Sequence, residues 1–346
     1  MVLVLALAGV AILIGRRMGV RGQYLWGAAL AFLALVLLLQ LFLPDAHPVK
    51  EATGTLSGWL IFIGVGGVGL AYLCALRVLK RHAQSEEPAS APSDKFTDAE
   101  LNRYARHIVL REIGGQGQKK MKKARVLVIG AGGLGAPVLQ YLAAAGVGTI
   151  GVIDEDVVDS SNLQRQVIHT DARIGMPKVF SAQAALQAQN PLITVLPYNR
   201  RLEADMAADL FADYDLVLDG SDNAQTRYLV NRVAVKLGKP LISGAITQWE
   251  GQLSLFHPAS GSPCYACIFP HEAAAGLAPS CAEVGVVGAL PGVIGSMMAV
   301  EAIKLIAEAG APLKGQMLIY DALYSETRLI NLKRDPQCSV CGQPAK

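Results

Sequence analysis

Charge is scarce in this sequence. Only 17% of its 346 residues are Asp, Glu, Lys or Arg, against 52% hydrophobic. That balance excludes an intrinsically disordered chain and points to a protein with part of its mass in lipid. An excess of either sign is also missing, since 31 basic side chains face 28 acidic ones for a net charge of +3. The surplus lies in the first 82 residues, where seven Arg and Lys stand against Asp45 and Glu51, while the remainder carries 24 basic and 26 acidic residues. Such a distribution implies no nucleic-acid-binding surface. At about 150 residues per domain, the length predicts two domains.

Three apolar runs, 2–15, 24–43 and 58–79, dominate the N-terminal part. The second and third reach the roughly 20 residues a helix needs to cross a hydrocarbon core, and neither holds a charge before Arg77. They read as membrane spans, and the shorter first run reads as a span, an interfacial segment or a signal-like stretch. No basic segment precedes that run and it ends in Arg16 and Arg17 without a small-residue cleavage site, which argues against a cleaved signal peptide. Arg16, Arg17 and Arg21, and then Arg77, Lys80 and Arg81, place their segments in the cytoplasm by the positive-inside rule. Residues 1–82 are therefore expected to form an anchor of about three transmembrane helices in contact with lipid. Residues 83–95, rich in Pro, Ser, Ala and Glu, read as a flexible linker. Residues 96–346 are expected to be the catalytic domain, on the cytoplasmic side of the inner (cytoplasmic) membrane.

The apolar run 125–129 leads straight into Gly130-Ala131-Gly132-Gly133-Leu134-Gly135 and then into a helical pattern. In this strand-turn-helix context, Gly130, Gly132, Gly133 and Gly135 let backbone N–H groups approach a phosphate at a helix N-terminus. A second strand, 149–153, ends in Asp154, a carboxylate placed to accept hydrogen bonds from a ribose. The same glycine pattern at Gly64 to Gly69 lies inside an apolar run, where close packing of small residues between helices explains it better.

The glycine loop alone fits NAD or ATP, and the following residues favour ATP. Ser161-Asn162-Leu163-Gln164-Arg165-Gln166 and then Gly175-Met176-Pro177-Lys178 bring an amide and two cations to one side of the nucleotide. A triphosphate attacked at its α-phosphate needs that charge more than a dinucleotide does. The strand at 214–218 ends in Asp219-Gly220-Ser221-Asp222-Asn223, and a hard carboxylate beside phosphates is the expected magnesium ligand. Of the six cysteines, Cys264 and Cys267 form one C-x-x-C pair and Cys338 and Cys341 another. In a reducing compartment four thiolates in two short hooks fit a closed, tetrahedral structural zinc site. Metal loss should then loosen the fold.

Together with the segment RYARHIVL at 103–110 and SCAEVGVVG around Cys281, these motifs resemble the MoeB/ThiF/HesA family of adenylyltransferases, related to ubiquitin-activating enzymes, over about residues 97 to 341. The resemblance implies a Rossmann-like, doubly wound α/β sheet of the ThiF type. It implies that Asp154 holds the ribose, that Asn162, Arg165 and Lys178 contact phosphates, and that Asp222 binds magnesium. It also implies that Arg106 reaches the γ-phosphate from the other subunit of a homodimer. The implied reaction is attack by the C-terminal Gly-Gly carboxylate of a small ubiquitin-fold sulfur-carrier protein on the α-phosphate of ATP. It yields an acyl-adenylate and pyrophosphate, for molybdenum cofactor or thiamin biosynthesis. Cys281, ahead of a helix expected at about 292–310, is a candidate to take the activated carrier covalently. Five residues follow Cys341, so a separate sulfur donor is expected. The alternatives are adenylylation of another peptide or protein-tag carboxylate at the membrane, a non-catalytic ATP-binding scaffold, and an NAD-dependent oxidoreductase, which SNLQRQ, GMPK and the cysteine hooks disfavour.

Overall fold

The N-terminal unit ends at Ser90, and its second and third apolar runs fold as the helices α1 (Gly22–Phe42) and α3 (Leu56–Ala83). Between them lies the short α2 (Pro48–Thr53), opened by Pro48 in its first turn and by His47, whose Nδ1 accepts from the Val49 N–H at 3.3 Å. A polar knot closes this hairpin: Gln40 Nε2 donates to Thr53 Oγ1 (2.7 Å) and to the Gly54 carbonyl (2.9 Å), and the buried Trp59 donates its indole N–H to the Thr53 carbonyl at 3.0 Å. The computed structural model describes residues 22–44, 47–83, 95–272 and 284–342. The first apolar run and most of the expected linker lie outside them. The close packing expected at Gly64 to Gly69 is not made among the described residues, because a Cβ at Gly64, Gly66, Gly67 or Gly69 would meet nothing within 4 Å.

In the second unit, Ala91–Lys346, α4 (Asp98–Ile108) starts at a capping box, with Thr97 Oγ1 accepting from the Glu100 N–H and Glu100 Oε2 accepting from the Thr97 N–H. This arrangement satisfies two otherwise orphaned donors. After α5 (Gly114–Lys123) the chain alternates β1 (Arg125–Ile129), α6 (Gly135–Ala145), β2 (Thr149–Ile153), α7 (Lys178–Gln189) and β3 (Thr194–Tyr198). It continues through α8 (Ala204–Ala212), β4 (Leu216–Asp219), α9 (Ala224–Lys236) and β5 (Leu241–Ile246), then β6 (Glu250–Phe256), α10 (Tyr265–Ile268), α11 (Ala289–Ala307), β7 (Gln316–Asp321) and β8 (Glu326–Asn331). The strands form one sheet in the order β3-β2-β1-β4-β5-β6-β7-β8.

The sheet is mixed. Five strands, β3 to β5, are parallel, as expected of a doubly wound fold, and the last three extend it antiparallel. The cause is the connection: residues 247–249 alone join β5 to β6, and a parallel return needs a crossover of about a dozen residues or more. Side chains alternate across β1, so Val126 and Val128 join a core with Leu139, Leu142, Leu186, Ile294 and Met298, while Leu127 and Ile129 face a second core with Phe211, Tyr214 and Val230. Helix α11, three residues ahead of its expected start, belongs to the first core. It is also the one helix among the described residues long and apolar enough, at mean hydropathy 1.6, to cross a membrane. The apolar stretches Gly27–Phe42 and Leu56–Gly69 are shorter. Strands β2 and β3 lie to one side of β1 and strand β4 to the other, so the crevice outside the carboxyl ends of β1 and β4 is the topological switch point where such sheets bind ligands.

Candidate active site

A cavity of about 840 Å³ opens at that switch point, and Gly130, Gly132, Gly133, Asp154, Arg165 and Lys178 are among its lining, with Asp222. Gly130 takes φ +90°, a conformation that strains any L side chain, and its N–H donates to the Ile153 carbonyl at 2.9 Å, tying the loop to β2. At Gly135 a Cβ would stand 1.9 Å from the Gly130 carbonyl oxygen, so α6 enters the loop at a distance only glycine permits. Asp154 Oδ2 accepts from the Ala131 N–H at 2.7 Å and Oδ1 from the Asp156 N–H at 2.9 Å. Burial pushes its pKa above the ordinary aspartate value, against the lowering pull of Lys178. Behind the loop, the buried His169 sits between the Ala131 carbonyl (Nε2, 2.9 Å) and Ser181 Oγ (Nδ1, 2.9 Å), and burial lowers its pKa, so it braces the loop as a neutral ring.

The cations sit within the cavity wall and are already paired. Lys178, the first residue of α7 and 5% exposed, donates to Asp156 Oδ2 at 2.7 Å. Arg165 donates to Asn162 Oδ1 at 2.8 Å, which brings two of the expected phosphate contacts together. Gln166, 5% exposed beside them, lines the same cavity, and its Oε1 has no hydrogen-bond partner among the described residues. A buried acceptor without a partner is costly unless a ligand or water completes it.

Asp222 is exposed, as a ligand for a cation from solvent must be. The turn that presents it is held by residues outside the expected site. Asp219, 1% exposed, accepts from the Ser221 N–H (3.0 Å), Ser221 Oγ (2.6 Å) and Ser243 Oγ (3.2 Å) and lies 3.6 Å from the Arg227 guanidinium. Arg227 also donates to the Ser221 carbonyl and to Ser243 Oγ. Asn223 Oδ1 caps α9 by accepting from the Thr226 N–H at 2.9 Å. Asp219 stood within the motif, but nothing local marked Arg227 or Ser243, which tertiary folding alone delivers.

Cys264, Cys267, Cys338 and Cys341 converge, with all four sulfurs within 4.8 Å of one another and Sγ–Sγ distances of 3.9 Å (Cys264–Cys267), 3.6 Å (Cys264–Cys338) and 3.3 Å (Cys267–Cys341). Zinc–sulfur bonds of about 2.3 Å at tetrahedral angles separate sulfurs by about 3.8 Å, so these residues fit a zinc ion. Asn231 Nδ2 donates to Cys264 Sγ at 3.7 Å, a contact that favours thiolate against the burial that pushes this thiol's pKa up.

Residues 104–340 match the profile of the ThiF family, and the chain is 51% identical over 252 residues to the sulfur carrier protein adenylyltransferase of Thermus thermophilus, covering 72% of this chain and 93% of that one. The chain belongs to the ThiF family. It is also 52% identical over 253 residues to the probable adenylyltransferase/sulfurtransferase MoeZ of Mycobacterium tuberculosis, of whose length it spans 64%. The fold of this ThiF-family chain resembles that of E. coli MccB solved with MccA-N7isoASN, at a TM-score of 0.63 and 24% identity over 71% of this chain and 76% of that one.

Three described residues of the site expected for this ThiF-family chain, Arg106, Gly135 and Asn162, are not among those lining the cavity. Arg106 is exposed on α4. Cys281 lies outside the described residues. The cavity also has an aromatic wall, Tyr228, Tyr265 and Phe269, unmarked in the sequence because its members come from α9, from inside the first cysteine pair and from just beyond it.

Proposed function

We propose that this chain adenylylates the C-terminal Gly-Gly carboxylate of a small ubiquitin-fold sulfur-carrier protein, supporting molybdenum cofactor or thiamin biosynthesis. The observation that carries the reading is the cavity at the switch point, where a phosphate-binding glycine loop, a ribose-accepting Asp154, the cations Arg165 and Lys178 and the exposed Asp222 share one space. The carrier carboxylate is ionised at neutral pH and attacks the α-phosphate of ATP without a side-chain base. The bond to pyrophosphate breaks and an acyl-adenylate remains. Glycine-loop N–H groups and the α6 N-terminus receive the phosphates, Lys178 trades Asp156 for a phosphate oxygen, and Arg165 reaches phosphate with the guanidinium N–H groups left free while its bond to Asn162 keeps it aimed. Asp154 accepts the ribose hydroxyls on lone pairs that the Ala131 and Asp156 N–H groups leave free. Asp222 would hold magnesium, which supplies charge neutralisation at the phosphates.

The same reading gives the four cysteines a structural zinc ion, pins the 338–341 hook to the 264–267 loop, and takes sulfur from a separate donor. We further propose that the chain works as a homodimer in which Arg106 of the partner subunit reaches the γ-phosphate, and that Cys281 takes the activated carrier covalently. The N-terminal runs would anchor the enzyme as a multi-pass protein in the inner (cytoplasmic) membrane, with the catalytic unit in the cytoplasm. That proposal is supported by the uncharged runs 24–43 and 58–79 up to Arg77 and by the placement of the flanking arginines.

The test is exchange of labelled pyrophosphate into ATP, with and without ubiquitin-fold carriers, for the wild type and Asp222→Ala. Carrier-dependent exchange that the substitution abolishes is expected. Exchange that is absent with every carrier ending in Gly-Gly overturns the reading.

A further inference from the structure

The first cysteine hook is part of the cavity wall. Cys264 and Cys267 bracket Tyr265, which lines the cavity, and its ring packs edge-on against Tyr228 (centroids 5.4 Å apart, 83°) and Phe256 (5.8 Å, 83°) and tilted against Phe269 at 4.7 Å. Asn231, 1% exposed, spends both ends of its amide on this hook: Nδ2 donates to Cys264 Sγ at 3.7 Å and Oδ1 accepts from the Tyr265 N–H at 3.0 Å. Asn231 lies four residues beyond Arg227 on α9, so the two share a helix face. Arg227 holds the Ser221 carbonyl and the Asp219 carboxylate, and with them the turn carrying Asp222. One rigid helix thus carries the phosphate-side turn at its start and the clamp on the thiolates one turn later.

We propose that the four-cysteine cluster and the nucleotide cavity are energetically coupled through Asn231 and Tyr265, so that metal held by the thiolates presets the cavity wall and a ligand in the cavity tightens the metal. Asn231 and Tyr265 are positioning residues in this scheme. The inference rests on the adenylylation reading for the identity of the ligand, and goes beyond it in making the cluster a regulator of that site as well as a clamp on the fold. A coupling between two sites is reciprocal: whatever factor zinc contributes to ATP affinity, ATP contributes to zinc affinity.

The test uses the full chain in detergent, loaded with one equivalent of zinc. Its zinc dissociation constant is measured by competition with a chromogenic chelator, with and without saturating ATP and magnesium, and ATP binding to the same samples is measured by calorimetry. In the wild type ATP should tighten zinc by about fivefold or more, the lower end of ordinary coupling. The ratio should persist in Tyr265→Phe, which keeps the ring. It should fall to one in Asn231→Asp, which keeps the acceptor for the Tyr265 N–H but donates nothing to Cys264. It should also fall in Tyr228→Ala, which leaves every cluster contact in place and so separates lost coupling from a damaged cluster. ATP binding without any change in zinc affinity, or a tightening that survives in both of these variants, overturns the coupling and leaves adenylylation standing. Failure of the wild type to bind ATP overturns both.

Discussion

Replacing Lys178 by methionine isolates the electrostatic part of the proposed chemistry. The side chain is 6% exposed and its partner carboxylate, Asp156, is 62% exposed. Methionine keeps most of the apolar stem and removes only the charge. The fold should tolerate the change, because the partner carboxylate left behind is largely hydrated and an apolar side chain takes the place of a buried charge. The reaction should not. A unit charge about 4 Å from a phosphate oxygen, at an effective dielectric of about 20, contributes ~4 kcal/mol, and each ~1.4 kcal/mol is a factor of ten in rate. Part of that interaction already exists with bound ATP and does not accelerate the step. Loss of one preorganised charge-stabilising group therefore costs kcat about 10²-fold. The assay is carrier-dependent pyrophosphate exchange at saturating ATP, with the unfolding midpoint measured in parallel. A variant that folds like the wild type and exchanges within tenfold of it would refute the role given to Lys178.

Three further outcomes are measurable. Gly135→Ala forces a Cβ to within 1.9 Å of the Gly130 carbonyl oxygen, so calorimetry should show ATP binding lost. The backbone clash should cost about 3 kcal/mol and lower the melting midpoint by roughly 6 °C or more; an unshifted midpoint would count against the loop geometry. Asp154 is held above its ordinary pKa of 3.8 by burial. A folded-state pKa above the unfolded value means that the folded chain binds the extra proton, so acidification through that pKa stabilises the ligand-free protein relative to its unfolded state. The same protonation weakens ATP binding, and the loss of affinity should begin at a higher pH than an exposed aspartate would give. Asp154→Asn should flatten that part of the profile, and a profile unchanged by the substitution contradicts the assignment. Intact-mass analysis of the wild type with ATP and carrier should find a thiol-sensitive carrier adduct that Cys281→Ala abolishes, and an adduct that persists in the variant assigns the covalent step elsewhere.

Local sequence determined more of this protein than its length suggests. The glycine loop, the strand ending in Asp154, and the spacing of Asn162, Arg165, Lys178 and Asp222 were legible because each is a short motif whose neighbours in the chain are also its neighbours in space. The two C-x-x-C hooks were legible for the same reason, and their convergence could be inferred because two such pairs match the spacing of a four-thiolate metal site. Tertiary structure alone decided the rest. The antiparallel end of the sheet depends on a three-residue connection whose consequence appears only when β6 has to pair. Asp219, Arg227 and Ser243 meet because β4, α9 and β5 are adjacent in the fold, and burial of a carboxylate is stable there because three donors from separate segments surround it. Asn231 is one more helical amide in the sequence, and it becomes the link between thiolates and cavity only when the chain returns with Cys264 and Tyr265. Short-range chemistry is written in spacing along the chain. Contacts between distant segments are set by how apolar faces pack, and that packing is a property of the whole chain.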